Sequence, residues 1–84
     1  MTKTTYKQIA EAIEDGREVK FEDRHIEQRN RAYRHRFATI DGEQHEITAN
    51  CWSSVSSNHE LKHADTIKAS GNGSYITSFR YELA

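Results

Sequence analysis

The composition predicts a small soluble chain: of its 84 residues, 35% are hydrophobic and 30% are charged. Such a chain buries only about 60–65% of the surface that its unfolded form exposes, so we expect one domain over residues 1–84, with a thin core and no large active site. The net charge of −1 favours no class of partner, and no apolar run approaches the ~18 residues of a membrane-spanning helix.

The first predicted element is an amphipathic helix followed by a strand. Four apolar residues share one helical face: Tyr6, Ile9, Ala10 and Ile13. Thr5 and Gln8 have the spacing of a capping box, which marks the start of the helix, and Gly16 marks its end. Polar and apolar residues then alternate from Glu18 to Glu22, which is typical of a half-buried strand.

The dipeptide Asp41-Gly42 predicts a β-hairpin between the segments Arg31 to Ile40 and Glu43 to Trp52. A two-residue turn pairs Ile40 with Glu43 and mixes apolar and charged residues on both faces of the hairpin. A three-residue loop that includes Ile40 pairs Thr39 with Glu43 and separates the two kinds of residue. Because a shift of one residue moves every side chain to the other face, we predict the three-residue loop.

This register assigns the hairpin side chains to two faces. Seven residues are expected to face the helix: Tyr33, His35, Phe37, His45, Ile47, Ala49 and Cys51. Six are expected to point away from it: Arg34, Arg36, Glu46, Thr48, Asn50 and Trp52. Arg36 then lies opposite Glu46. The single cysteine, Cys51, is predicted to be a buried and unreactive thiol.

The C-terminal part is predicted to add a second hairpin. Thr66 to Ser70 and Ser74 to Leu83 flank Gly71-Asn72-Gly73, and the edge near the last strand is a place where two copies can pair. A short helix is predicted to begin at Ser57 or Asn58 and to end at Lys62 or Ala64, although helix, strand and loop all fit residues 56–70. The expected fold is α+β, with one N-terminal helix on a four- to five-stranded antiparallel sheet and room for one short extra helix.

One motif suggests a metal. His59-Glu60-Leu61-Lys62-His63 resembles the H-E-x-x-H sequence of zinc metalloproteases, in which two histidines one helical turn apart bind zinc. Lys62 departs from the family's pattern of uncharged neighbours, and no later histidine supplies a third ligand. Cys51 or His45 would have to complete a structural site. We therefore predict two solvated histidines on a surface helix, no metal, no cofactor and no enzymatic activity, with a zinc site as a remote alternative.

The segment Arg24 to Arg36 is the strongest indication of a binding surface. It contains five arginines and one glutamate, Glu27; the arginines are Arg24, Arg29, Arg31, Arg34 and Arg36. Guanidinium groups suit paired hydrogen bonds to carboxylates or phosphates. We predict a partner-binding surface on the outer face of the central hairpin, with Arg34, Arg36 and Trp52 as anchors and Arg29 and Arg31 at the rim. The alternative is that these side chains serve the fold alone.

The class of partner follows from the charge balance. Nucleic-acid-binding domains usually carry a clear positive excess, which this chain lacks. Tyr33 and Phe37 are also expected to face the helix rather than to stack on bases. We therefore predict a protein partner and no membrane contact, with nucleic acid bound by the Arg24 to Arg36 segment as the alternative.

A small chain from Met1 to Ala84, with one helix, a twisted antiparallel sheet and no enzymatic motif, resembles the accessory proteins encoded by bacteriophages. These include host-takeover factors and anti-defence inhibitors such as anti-CRISPR proteins. The resemblance implies inhibition by occlusion, in which a rigid domain covers the working surface of a host protein. The absence of a cysteine pair and of an apolar N-terminal stretch leads us to expect a cytoplasmic location in the bacterial host.

Overall fold

Two helices and a five-stranded antiparallel sheet form residues 4–84, the part of the chain that this computed structural model describes. The elements in chain order are α1 (Tyr6–Glu14), β1 (Val19–Gln28), β2 (Arg31–Ile40), β3 (Glu43–Ile47), α2 (Ala49–Asn58), β4 (Leu61–Gly71) and β5 (Ser74–Leu83). The strands lie in the order β3-β2-β1-β5-β4. The predicted α+β class, with an N-terminal helix on an antiparallel sheet, is confirmed.

Helix α1 begins at the predicted capping box. The Thr5 hydroxyl accepts a hydrogen bond from the Gln8 amide, and the Gln8 side chain accepts one from the Thr5 amide. These bonds satisfy two amides that have no partner within the helix. Ile9 and Ala12 are the buried residues of the helix, whereas Ala10 is only half-buried. The apolar face is therefore centred slightly differently from the one that the i, i+3, i+4 spacing predicts.

The central hairpin has a two-residue turn, so the predicted three-residue loop is wrong. Asp41 and Gly42 both have positive φ angles, 51° and 85°, which is the turn geometry whose twist matches that of paired strands. Ile40 pairs with Glu43. The three-residue loop is predicted because it makes the whole hairpin amphipathic, and this reasoning assumes that the second strand continues to Trp52. The assumption is wrong because β3 ends at Ile47.

Both helices pack on one side of the sheet, which we call the helix face; the opposite side is the open face. Phe21 pairs with Ala38 on one neighbouring strand and with Tyr81 on the other, so all three lie on the helix face. Within the described part of the chain, the buried hydrophobic core consists of nine residues: Ile9, Ala12, Val19, Phe21, Ala38, Ile40, Ile47, Cys51 and Val55. In the observed register Arg34 and Arg36 lie on the helix face, and Tyr33, His35 and Phe37 lie on the open face, the reverse of the prediction.

Helix α2 replaces the second half of the strand predicted over Glu43 to Trp52. The Thr48 hydroxyl caps it by accepting a hydrogen bond from the Cys51 amide. Cys51 and Val55 are buried one turn apart. Burial raises the pKa of the Cys51 thiol, in keeping with the predicted unreactive cysteine. Trp52 packs against the core, so its predicted position on an outer hairpin face is wrong.

The second hairpin is confirmed, with a two-residue turn in which Asn72 and Gly73 have positive φ angles. Four residues of β5 share the helix face: Tyr75, Phe79, Tyr81 and Leu83. Strand β4 begins at Leu61, so the short helix predicted to continue to Lys62 or Ala64 is wrong. Strand β5 pairs with both β1 and β4, which makes β4 one of the two edge strands of the described sheet.

We predict that Trp52→Ala destabilises the protein by about 2 kcal/mol, because the ring is half-buried and removing it opens a cavity in the core. The ring contacts Phe21 edge-on at a centroid distance of 6.1 Å and Tyr81 at 5.7 Å. Urea denaturation measures the change. Tyr75→Ala is the matched control; this residue is 64% exposed and its removal should change stability by less than about 0.5 kcal/mol. Equal effects of the two variants would place Trp52 on the surface.

Candidate binding surface

The five arginines of the Arg24 to Arg36 segment, four of which are predicted to bind the partner, do not form one surface, because side chains alternate between the faces of a strand. Arg24 and Arg31 lie on the open face, Arg34 and Arg36 lie on the helix face, and Arg29 lies in the turn between β1 and β2. The alternation was available from the sequence. It separates Arg31 from Arg34 and Arg36 in either register of the hairpin, and the wrong register reversed only which of them face the helices.

Arg34, a predicted anchor, is held by a buried carboxylate. Its Nε donates to Oδ1 of Asp23 at 3.0 Å, and its Nη2 donates to Oδ2 at 2.6 Å. Asp23 is 4% exposed, and Nε2 of His25 lies 3.4 Å from its Oδ2. This geometry gives Arg34 a structural role, since the paired hydrogen bonds compensate for the burial of a charge.

The Asp23–Arg34 pair also sets the ionisation of the carboxyl group. Burial by itself would raise the pKa of Asp23, but the hydrogen bonds and charge of Arg34, together with His25, outweigh it and hold the pKa below the ordinary value of 3.8. A lowered pKa in the folded state means that the pair stabilises the fold above the ordinary carboxyl pKa. That contribution is lost as the pH falls through the lowered value.

Arg36 lies on the helix face and is half-buried. It pairs with Asp23 on β1 and with Ile47 on β3, whereas Glu46 pairs with Phe37, so the predicted opposition of Arg36 and Glu46 is wrong. Among residues 4–84, the Nε atom of Arg36 is buried without a hydrogen-bond partner. Arg34 is therefore engaged by Asp23 and Arg36 is half-buried on the helix face, so neither lies on the outer hairpin surface that the sequence predicts.

The H-E-x-x-H motif is extended rather than helical, so the predicted surface helix is wrong here. His59 ends α2 with φ −136° and ψ 142°, and the next residues enter β4. The Nε2 atom of His59 lies 3.1 Å from the Tyr6 hydroxyl, and that of His63 lies 2.8 Å from the Thr66 hydroxyl. The described residues contain no group of three or more potential metal ligands. The helical spacing on which the zinc hypothesis depends is absent.

An apolar row crosses the open face. Tyr33, Ile26, Ile76 and Ala69 stand in register on four neighbouring strands, β2, β1, β5 and β4. Tyr33 is 38% exposed, and Ile67, two residues before Ala69, is 41% exposed. Neither α1 nor α2 covers this row. One residue indicates this row in the sequence: Ile26 is apolar, although the other residues of β1 on the same face are polar.

A ladder of ion pairs lies beside the apolar row. Glu22, whose side chain is 12% exposed, is 2.6 Å from Arg24 and 3.9 Å from Arg80, and Arg80 is also 3.8 Å from Asp65. The Arg24 guanidinium also stacks over the Phe37 ring, 4.7 Å from its centroid. The ladder therefore neutralises most of its own charge. At its far end the open face is concave, with a depression of about 310 Å³ that includes Lys20, Gln44 and Glu82.

Neither helix in the described part of the chain is long and apolar enough to cross a membrane. Comparison with protein families, curated proteins and solved structures finds no match to this chain. The geometry of the open face is therefore the guide to the function of this protein.

We predict that Arg34→Gln destabilises the protein by about 2 kcal/mol at neutral pH, because it leaves the buried Asp23 carboxylate unpaired. The loss is smaller than for a fully buried pair, because the Arg34 side chain is 46% exposed and solvent screens its charge. The difference from the natural chain should narrow as the pH falls and Asp23 becomes protonated. Denaturation at several pH values measures it. Arg31→Gln, at an exposed position, is the control, and a loss that did not depend on pH would contradict the assignment.

Proposed function

We propose that this chain is a non-enzymatic binding protein that docks a protein partner on its open face. The observation that supports the proposal is the apolar row formed by Tyr33, Ile26, Ile76 and Ala69 on a sheet face that no described helix covers. Exposed contiguous apolar patches on a small domain commonly mark interaction sites. The core needs only the helix face, so the open face is available for a partner.

The open face has the size of a protein interface. Strands about 4.8 Å apart and about ten residues long, at about 3.4 Å per residue, give a five-stranded face of roughly 700 Å². A standard protein–protein interface buries about 800 Å² on each partner. A side chain of the partner can insert into the depression beside Lys20 and Gln44.

Charge favours a protein over a nucleic acid. Arg24 and Arg80 are already paired with Glu22 and Asp65, so they have little charge left to neutralise phosphates. Arg29 and Arg31 remain exposed at the hairpin end of the face, and neither forms an ion pair with any described residue. A partner with an apolar centre and acidic groups at one edge therefore complements this surface best. Of the predicted site residues, Arg29 and Arg31 retain a binding role.

The resemblance to bacteriophage accessory proteins extends this proposal to the partner. We expect it to be a host protein whose working surface is covered when it docks. Such inhibition needs no catalytic group in the small protein, only affinity and bulk, which agrees with a surface dominated by apolar and self-neutralised charged residues.

We predict that Tyr33→Ala weakens partner binding at least about tenfold, because Tyr33 is the aromatic side chain of the apolar row and tyrosines are enriched among the residues that carry most of the energy of an interface. Tyr75→Ala removes the same side chain from the other face and should leave binding unchanged. The measurement is a pulldown from bacterial lysate with the tagged natural chain and both variants, followed by titration of the recovered protein. Equal loss in the two variants, or loss in neither, would contradict an open-face site.

A second candidate function is binding of single-stranded nucleic acid, and one observation favours it. Tyr33, His35 and Phe37 lie at alternate positions of β2 on the open face, and the last two rings stack at a centroid distance of 6.4 Å and an angle of 28°. Aromatic side chains along an open sheet are a common platform for unpaired bases. The sequence argument against this function, that Tyr33 and Phe37 face the helix, no longer applies.

Treatment of half of each pulldown with nuclease separates the two functions. For a protein partner we expect the captured band to survive digestion and binding to depend weakly on salt. For nucleic acid the captured material disappears, affinity falls steeply with salt, and Arg31→Ala reduces the slope of log affinity against log salt by about one. That second set of results would replace the protein-partner proposal.

A further inference from the structure

Strand β4 is a long, exposed edge of the sheet. It runs from Leu61 to Gly71, the longest of the five described strands, and every residue after Leu61 is exposed. Among the strands of residues 4–84, its only neighbour is β5. The backbone groups along its outer side therefore have no sheet partner within the described chain, and such an edge is a template for another strand.

The two edges of the sheet differ in how well they are protected. The opposite edge, β3, has only five residues and runs directly into α2. In β4 the irregular pairing lies between His63 and Asp65, close to its start, which leaves a regular stretch from Asp65 to Gly71. Within this stretch Lys68 is the one lysine, the residue type that commonly protects an exposed edge.

The regular stretch of β4 is compatible with pairing to itself. In an antiparallel pair related by a two-fold axis, one residue lies opposite its own copy. An axis at Lys68 would oppose two like charges, which is unfavourable. An axis at Ile67 instead places Ile67 against Ile67, Lys68 against Thr66 and Asp65 against Ala69, so no like charges face each other and two apolar side chains meet.

We propose that two copies of this chain pair antiparallel along β4, with the two-fold axis at Ile67, to form one continuous ten-stranded sheet. The two-fold axis is perpendicular to the sheet, so the open faces of both copies lie on the same side. The apolar row of each copy ends at Ala69, beside Ile67, and the paired Ile67 side chains join the two rows. A single strand pair buries less surface than a standard interface, so the dimer is concentration-dependent rather than obligate.

Cysteine crosslinking of the purified chain tests this arrangement. With the axis at Ile67, the two Cβ atoms at that position lie about 5 Å apart, whereas those at position 65 or 69 are separated by about 14 Å along the strand. Mild oxidation should therefore link Ile67→Cys into a dimer and leave Asp65→Cys and Ala69→Cys largely unlinked. The natural chain is the control for Cys51, which is buried.

Sedimentation equilibrium provides an independent measurement. Ile67→Lys opposes two like charges at the axis and should raise the dimer dissociation constant at least about fivefold. Ser57→Lys adds the same charge on an exposed position of α2 and should leave the constant unchanged. A natural chain that is monomeric at every accessible concentration would overturn the proposal, as would crosslinking that is strongest at Asp65→Cys or Ala69→Cys.

These outcomes are separate from those of the proposed function. Dimerisation is measured on the purified chain without a partner, and its failure leaves docking on Tyr33 and Ile26 intact. Loss of partner binding in Tyr33→Ala in turn says nothing about the β4 edge.

Discussion

The two-residue turn at Asp41 and Gly42 is the constraint on which the rest of the structure depends. Both residues have positive φ angles, the Asp41 amide donates to the Glu18 carbonyl, and the Asp41 carboxylate accepts from Arg17 at 2.6 Å. Because side chains alternate strictly along a strand, this turn decides which side of the sheet each residue of β2 occupies. It places Ala38 and Ile40 in the core and leaves Tyr33 and Phe37 outside it.

The second constraint is the unequal length of the helices and the strands. Helices of nine and ten residues extend about 15 Å, while strands of ten residues extend about 34 Å. The helices therefore cover one end of the sheet and leave the end with the two strand-to-strand turns bare. The Asp23–Arg34 pair lies next to the buried core residue Phe21, where a buried carboxylate needs a cation to offset its loss of water.

The proposed binding function is based on the surface that the fold leaves uncovered. The open face combines an apolar row with charges that mostly neutralise one another, and the β4 edge extends that face to one side. If both proposals hold, the dimer presents two docking surfaces on the same side of one sheet. A partner with two matching sites would then bind more tightly than a partner with one site, because its second contact forms within the same complex.

Some elements of this protein were determined by the sequence alone, because the signals for them are local. The Thr5–Gln8 capping box, the alternation from Glu18 to Glu22 and the turn residues near Asn72 each involve a few neighbouring residues, and each predicted its element correctly. The same reasoning led to the α+β class. Even the start of α2 had a local signal in Thr48, which was outweighed by the expectation of a longer strand.

Only the tertiary structure decided the faces of the sheet. The Asp41-Gly42 turn sets which residues of β2 and β3 share a face, but contacts between residues far apart in the chain decide which of the two faces the helices cover. A shift of one residue exchanged the surroundings of Arg34 and Tyr33. Trp52 moved from a surface anchor to the core because α2 folds back over Phe21. The candidate site was therefore predicted only at its rim, Arg29 and Arg31, while its apolar centre emerged from strand pairing.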